Sequence, residues 1–232
     1  MIPAVRDLLG QHFLLKHLAA AELDQLARMA ITRLCRPNEA VFLKGDPGNS
    51  MMAVVHGRVR ICSYSSEGRE VILNVINPGE VFGEIALIDG GSRTADAFAM
   101  DATELVVLSR RDFLPFLERN PQVCIKLLEV LCERLGATSA QVEDFFFLDL
   151  RSRLAKRLLA AADHAANNGA GGDPGTVRLS QHMLASMIGT SREAVNKQLR
   201  AWEEAGLIAL KRGAVKIINR QRLEEIVAEE AP

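Results

Sequence analysis

The sequence predicts an α+β protein of three successive segments: a β-rich first half, one long helix, and a small helical end closed by a hairpin. Three observations predict it. From about residue 13 to residue 116, short apolar or alternating stretches are separated by turn signals. After Pro121 the apolar period changes from two to three and a half. After Asp149 it changes again, to two short amphipathic helices with a glycine between them. We place the segments at residues 1–118, 119–148 and 149–232.

In the first segment, "AVFLK", "MMAVVHGRVRICSY", "REVILNVI" and "ELVVLS" read as strands. "GDPGNS", "SSEGRE", "NPGE" and "DGGS" read as the turns between them, the pattern of a small antiparallel barrel or sandwich. Residues 3–30 read as helical. One stretch stands out, "FGEIALIDGGSRTADAFA", residues 82–99. It reads as strand and turn. Phe82, Ile85, Leu87 and Ile88 are expected in the core, and Asp89 to Ser92 in a turn. Glu84 and Arg93 are charges held close to that core. They form either an ion pair with each other or the two ends of a site for one small ligand.

The long helix carries Cys124, Leu128, Leu131, Leu135, Thr138, Val142 and Phe145 at 4-3-4-3-4-3 spacing. That is a heptad seam, and Pro121 suits the first turn of its helix. The chain has no second long heptad run, so the seam faces either the same helix of a second copy or the chain's own β segment. Thr138 breaks it with a hydroxyl, and Ser139 follows. A polar residue in such a seam sets register or meets a partner.

In the third segment, Asp149 is an N-cap for a helix running to about Ala166, and residues 167–175 read as a loop. Ser180 caps a helix with Met183, Leu184, Met187 and Ile188 inward, and Gly189 is the stop. Ser191 caps a second helix with Ala194, Val195, Leu199 and Trp202 inward, ended by Gly206. This is a helix-turn-helix. The second helix shows Arg192, Glu193, Asn196, Lys197 and Arg200 on its outer face. "LIALKRGAVKII" reads as a wing with Lys211 and Arg212 near the tip.

Charge follows the same division. Residues 1–148 carry 15 basic and 19 acidic side chains, and residues 149–232 carry 13 and 10. Within 178–222 the balance is 9 to 3, a basic stretch in a chain of net charge −1. Such a stretch suits double-stranded DNA, with arginine and lysine on guanine edges and phosphates. The four cysteines have no CxxC spacing and read as free, buried thiols among apolar neighbours. The five histidines form no metal pattern, and His56 is a lone haem-ligand candidate that reads as structural. An enzyme acting on nucleotides would need metal ligands or an acid–base pair beside the phosphate, and the sequence offers neither. No apolar run is long enough to cross a bilayer and no signal peptide is visible, which points to a cytoplasmic protein.

Taken in order, "FGEIALIDGGSRTA", "RLGATSAQV" followed by "FFFLDL", and "IGTSREAVNKQLRAWEEAGLI" resemble the bacterial cAMP receptor protein (CRP/FNR) family of transcription regulators over nearly the whole chain. The resemblance implies a β-roll that binds a cyclic nucleotide, a dimerisation helix and a winged helix-turn-helix. It implies an allosteric ligand rather than a cofactor, with cAMP first and cGMP, another effector or no ligand requirement as the alternatives. Gly83, Glu84, Ile85 and Ala86 would line the nucleotide, with Glu84 on the ribose 2′-hydroxyl. Arg93 would pair with the cyclic phosphate, helped by Thr94 where the family often has serine. Arg134 would lie near the ligand, and Thr138 and Ser139 would reach the purine, Ser139 from the opposite subunit. Arg192, Glu193 and Lys197 match three base readers, the third being arginine in the best-known member. Ser180, Gln181, Ser191, Asn196, Lys211 and Arg212 complete the expected DNA face. The implied partners are a second copy, palindromic DNA and RNA polymerase.

Overall fold

The computed structural model describes residues 20–167 and 175–229. The chain divides after Arg134 into two compact units, described here in turn.

The first unit opens on α1 (Ala20–Met29), so the expected helix is present from residue 20 and its earlier part lies outside the described residues. Eight strands follow: β1 (Ile31–Cys35), β2 (Ala40–Phe42), β3 (Ser50–His56), β4 (Val59–Tyr64), β5 (Glu70–Ile76), β6 (Val81–Phe82), β7 (Asp96–Ala99) and β8 (Thr103–Ser109). A short helix, α2 (Glu84–Asp89), lies between β6 and β7. The strands form two antiparallel sheets, ordered β1-β8-β3-β6 and β2-β7-β4-β5.

Strand periodicity explains why β3 and β8 read as almost continuously apolar. Met52, Val54 and Leu105 join Val59, Ile76, Phe82 and Ala99 in one core. Their neighbours Met51, Ala53, Val106 and Leu108 turn to the other face. There they meet Leu26 of α1, Phe113 and Phe116 of α3 (Arg110–Arg119), and Leu127 of α4 (Pro121–Phe147). Both faces of these strands are covered, and a one-residue slip would exchange the residues of the two cores.

On α4, Val123, Leu127 and Val130 are buried against the first unit. The seam residues Leu128, Leu135 and Val142 are exposed, while Cys124 and Leu131 are half-buried. The helix therefore carries two adjacent apolar stripes, and of the seam Cys124 packs on the first unit's core while Leu128, Leu135 and Val142 stay exposed. Phe145 departs from expectation: its ring faces Gly189, and the Arg153 guanidinium lies 5.0 Å from its centroid.

In the second unit Asp149 caps α5 (Leu150–Asn167), accepting from the Ser152 amide at 2.7 Å. The expected loop after it falls mostly outside the described residues. Then come β9 (Thr176–Val177), α6 (Gln181–Ile188), α7 (Arg192–Glu204), β10 (Ile208–Lys211), β11 (Ala214–Ile217) and α8 (Arg220–Ala228). Leu154, Leu158, Leu184, Val195, Leu199, Trp202 and Leu223 are buried. The wing is a three-stranded antiparallel sheet, β10-β11-β9, with Arg212 and Gly213 in its two-residue turn.

One ion pair ties β4 to β5. Arg60 Nε donates to Glu70 Oε1 at 3.0 Å, and the Tyr64 hydroxyl donates to the same oxygen at 2.8 Å. Burial pushes the Glu70 carboxyl up, but Tyr64 and Arg60 outweigh it and hold it below the ordinary value. A carboxylate depressed in the folded state contributes stability above its unfolded pKa, about 4.3, and loses it as pH falls through the lower folded value. Glu70→Gln should lower the unfolding free energy at neutral pH by about 1–3 kcal/mol. Urea titrations across pH should show the difference from wild type shrinking once pH drops below that range. A difference independent of pH would contradict the assignment.

Candidate ligand site and nucleic-acid face

The stretch around residues 82–99 folds otherwise than strand and turn. Strand β6 ends at Phe82. Gly83 then takes φ 79°, which sets α2 off at an angle that an L side chain would resist. A Cβ on Gly83 would also lie 2.7 Å from Arg93 Nη1. Six residues are too few to show a helical period, which is why α2 is not legible in the sequence. Its helical geometry sends Leu87 and Ala86 inward with Phe82, while Ile85 and Ile88, three residues apart, share the open side. The expectation that all four large apolar residues were core is corrected for those two. Gly90 caps the helix, and Asp89 belongs to its last turn rather than to the loop.

Glu84 and Arg93 are 3% and 5% exposed, yet they do not pair with each other. Glu84 is held by Arg134, whose Nη1 donates to Glu84 Oε1 at 2.6 Å and whose Nη2 donates to the Val81 carbonyl. Arg93 donates to the Gly83 carbonyl and to the Ser50 hydroxyl, each at 2.9 Å. Its guanidinium lies over the Phe42 ring, 4.3 Å from the centroid. Burial pushes Arg93 down from its ordinary value, with Asp46 and Glu84 opposing. Its Nε is buried and has no hydrogen-bond partner among the described residues. A buried cation bonded only to neutral oxygens is an anion site in chemical terms.

Gly83, Glu84, Arg93 and Arg134 are thus brought together, with the first-turn amides of Ile85 and Ala86 beside them and without helical acceptors. Thr94 is exposed next to Arg93. Ser50 and Phe42 were missed. Nothing in "GNSMM" or "AVFLK" marks them, because strand pairing brings them to Arg93 from far along the chain. Thr138 and Ser139 lie about one turn beyond Arg134 on α4, are exposed, and belong to the second unit.

The second unit carries the basic face. The Ser180 and Ser191 hydroxyls accept from the Met183 and Ala194 amides, each at 3.2 Å, and so fix the starts of α6 and α7. Gly189 between the helices takes φ 66°. Arg192, Glu193, Lys197 and Arg200 are exposed along α7. Asn196 is half-buried and accepts from Gln181 Nε2 at 3.2 Å, which joins the two helices. Lys211 and Arg212 are exposed at the wing tip.

All four cysteines are free thiols. Cys35 and Cys62 are buried as expected, burial and the nearby Glu70 pushing Cys62 up to about 11, but Cys132 is exposed. Among the described residues no group of His, Cys, Asp and Glu could hold a metal ion, and no helix is long and apolar enough to cross a membrane.

Comparison with known proteins gives a family match in each of two regions. A family model of the cyclic nucleotide-binding domain matches residues 32–120. A model of the Crp-like helix-turn-helix domain matches residues 152–226. The cyclic AMP receptor protein of Thermus thermophilus is 34% identical over 209 residues, covering 90% of this chain and 94% of the relative. The CRP-like cAMP-activated global transcriptional regulator of Mycobacterium tuberculosis is 32% identical over 199 residues, 84% of this chain and 89% of its own. The solved structure of the c-di-GMP-responsive regulator CLP from Xanthomonas campestris superposes with a TM-score of 0.76. It covers 86% of this chain and 99% of its own at 23% identity, a likeness of fold. The chain belongs to the cAMP receptor protein (CRP/FNR) family of cyclic-nucleotide-binding transcription regulators, which are DNA-binding proteins and not enzymes.

Proposed function

We propose that this regulator responds to cAMP and acts as a homodimer on palindromic DNA. The observation that carries the reading is Arg93, a buried guanidinium with an unpartnered Nε edge. A cyclic phosphate carries one negative charge and offers oxygens that match that edge. Glu84, beside the cation yet hostile to an anion, suits the ribose hydroxyl. Gly83 and the amides of Ile85 and Ala86 suit close approach to the sugar–phosphate ring, with Thr94 at its rim. Arg134 already bridges this end of the pocket to α4 through Glu84. Thr138 and Ser139, farther along α4, suit the purine edge.

One phosphate per site also fits the electrostatics. Arg134 is committed to Glu84, which leaves Arg93 as the pocket's partner for a single phosphate and favours a cyclic mononucleotide over c-di-GMP. The open seam of Leu128, Leu135 and Val142 suits a second copy of the helix. In such a dimer the recognition helices would stand about 34 Å apart, one turn of DNA. Arg192, Glu193, Asn196 and Lys197 would read base edges. Ser180, Gln181, Ser191, Lys211 and Arg212 would position the backbone. RNA polymerase is the partner a regulator so placed would meet, in the cytoplasm. Residues 1–118, 119–148 and 149–232 are the nucleotide, dimer and DNA segments of this reading.

Calorimetric titration should show cAMP binding, with cGMP weaker. Arg93→Ala should weaken cAMP by about 30-fold or more. Absence of heat with either nucleotide would sink the reading.

Removing an unpaired buried cation also has a stability signature. Arg93→Met should leave the urea midpoint of the ligand-free protein unchanged or raised. A loss above about 1 kcal/mol would mean Arg93 is a structural group.

On DNA, the logarithm of operator affinity should fall linearly with the logarithm of salt concentration, by about 0.9 per phosphate contact. Lys211→Ala should reduce the slope, and a flat response would contradict the DNA face.

A further inference from the structure

Helix α2 has six residues. Helices shorter than about 12 residues do not hold themselves in water, so the position of α2 is set from outside. Three restraints are visible. Leu87 is fully buried in the first unit's core. At the N-terminal end, Arg134 holds Glu84 and the Val81 carbonyl. At the C-terminal end, Arg110 Nε donates to the Leu87 carbonyl at 2.6 Å and its Nη2 to the Ile88 carbonyl at 3.4 Å. Those carbonyls belong to a last turn with no helical donors, and a cation there also suits the helix dipole. Arg110 is itself anchored, since its backbone amide donates to the Asn49 carbonyl at 2.8 Å. Asn49 precedes Ser50, the residue that holds Arg93.

We propose that Arg110 is a positioning residue for the nucleotide site, acting on the ribose end through α2. This rests on the nucleotide reading above. The two ends of the site are held differently. Arg93 is fixed by Ser50, the Phe42 ring and the carbonyl of Gly83, the residue before α2, none of which lies within the helix. Glu84 is carried by α2 itself. Without the C-terminal clamp, α2 pivots on Leu87 and Glu84 leaves hydrogen-bond reach of the 2′-hydroxyl. The phosphate contact stays. Arg110 touches no ligand atom in this account and tunes discrimination from behind the site.

The test is a selectivity measurement. Titrate cAMP and 2′-deoxy-cAMP into wild type, Arg110→Met and Arg110→Lys. Met keeps the apolar stem and removes the donors, and Lys restores one. In Arg110→Met the Kd for cAMP should rise about tenfold and that for 2′-deoxy-cAMP about threefold or less, so that the preference for the hydroxyl narrows. Arg110→Lys should fall between Met and wild type. In the ligand-free protein, amides 84–90 of Arg110→Met should exchange faster with deuterium while those of β3 and β8 keep wild-type protection. Equal weakening of both nucleotides, unchanged selectivity, or a Lys variant no better than Met would overturn the proposal. Should Arg110→Met fail to fold, Arg110→Lys decides the matter by the same selectivity ratio. A wild type that binds neither nucleotide would overturn the nucleotide reading and this role together, and that outcome is distinct because it appears in the wild-type titration.

Discussion

The first unit is arranged around a buried arginine that the protein does not neutralise. Leaving a guanidinium out of water without a carboxylate is costly, and a fold keeps such a group only where neighbours hold it in place. Here the neighbours are a carbonyl, a hydroxyl and an aromatic face. Each comes from a different part of the roll. Gly83 brings the carbonyl because its left-handed backbone turns β6 into α2. Ser50 arrives at the start of β3, and Phe42 at the end of β2. The two-sheet architecture is thus the device that keeps one cation dry and one of its edges unpartnered.

The nearby acid is neutralised elsewhere. Glu84 could have paired with Arg93, and the fold prevents it by giving Glu84 to Arg134 on α4. The result separates charge within a small volume, with a cation free of any carboxylate and a carboxylate held by Arg134 on α4. A ligand that bonds both ends therefore acts on a strand-held group and a helix-held group at once. That is the minimal physical requirement for coupling a binding site to a distant element.

Much of this was legible because it rests on periodicity. The alternation in β3 and β8, the heptad of α4, and the Ser180 and Ser191 caps with Gly189 between them all mark their elements directly. The charge contrast between Glu84 and Arg93 marked the site as well, though the sequence left open whether the two paired. What was not legible depends on spatial neighbours. Six residues of α2 carry no readable period, so Ile85 and Ile88 looked like core. Ser50 and Phe42 reach Arg93 only through strand pairing. Phe145 satisfies the heptad spacing, yet its ring turns to Gly189, because a bare backbone next to an aromatic offers contact that the spacing rule does not count.

That last contact puts two distant positions under one steric constraint. Gly189 is required by its backbone angle, and a Cβ there would lie 2.8 Å from the Phe145 ring. A side chain at 189 would therefore have to displace the aromatic, and truncating the aromatic would leave a void over the turn between the two helices of the DNA-binding motif. The volume at one position sets what the other can hold.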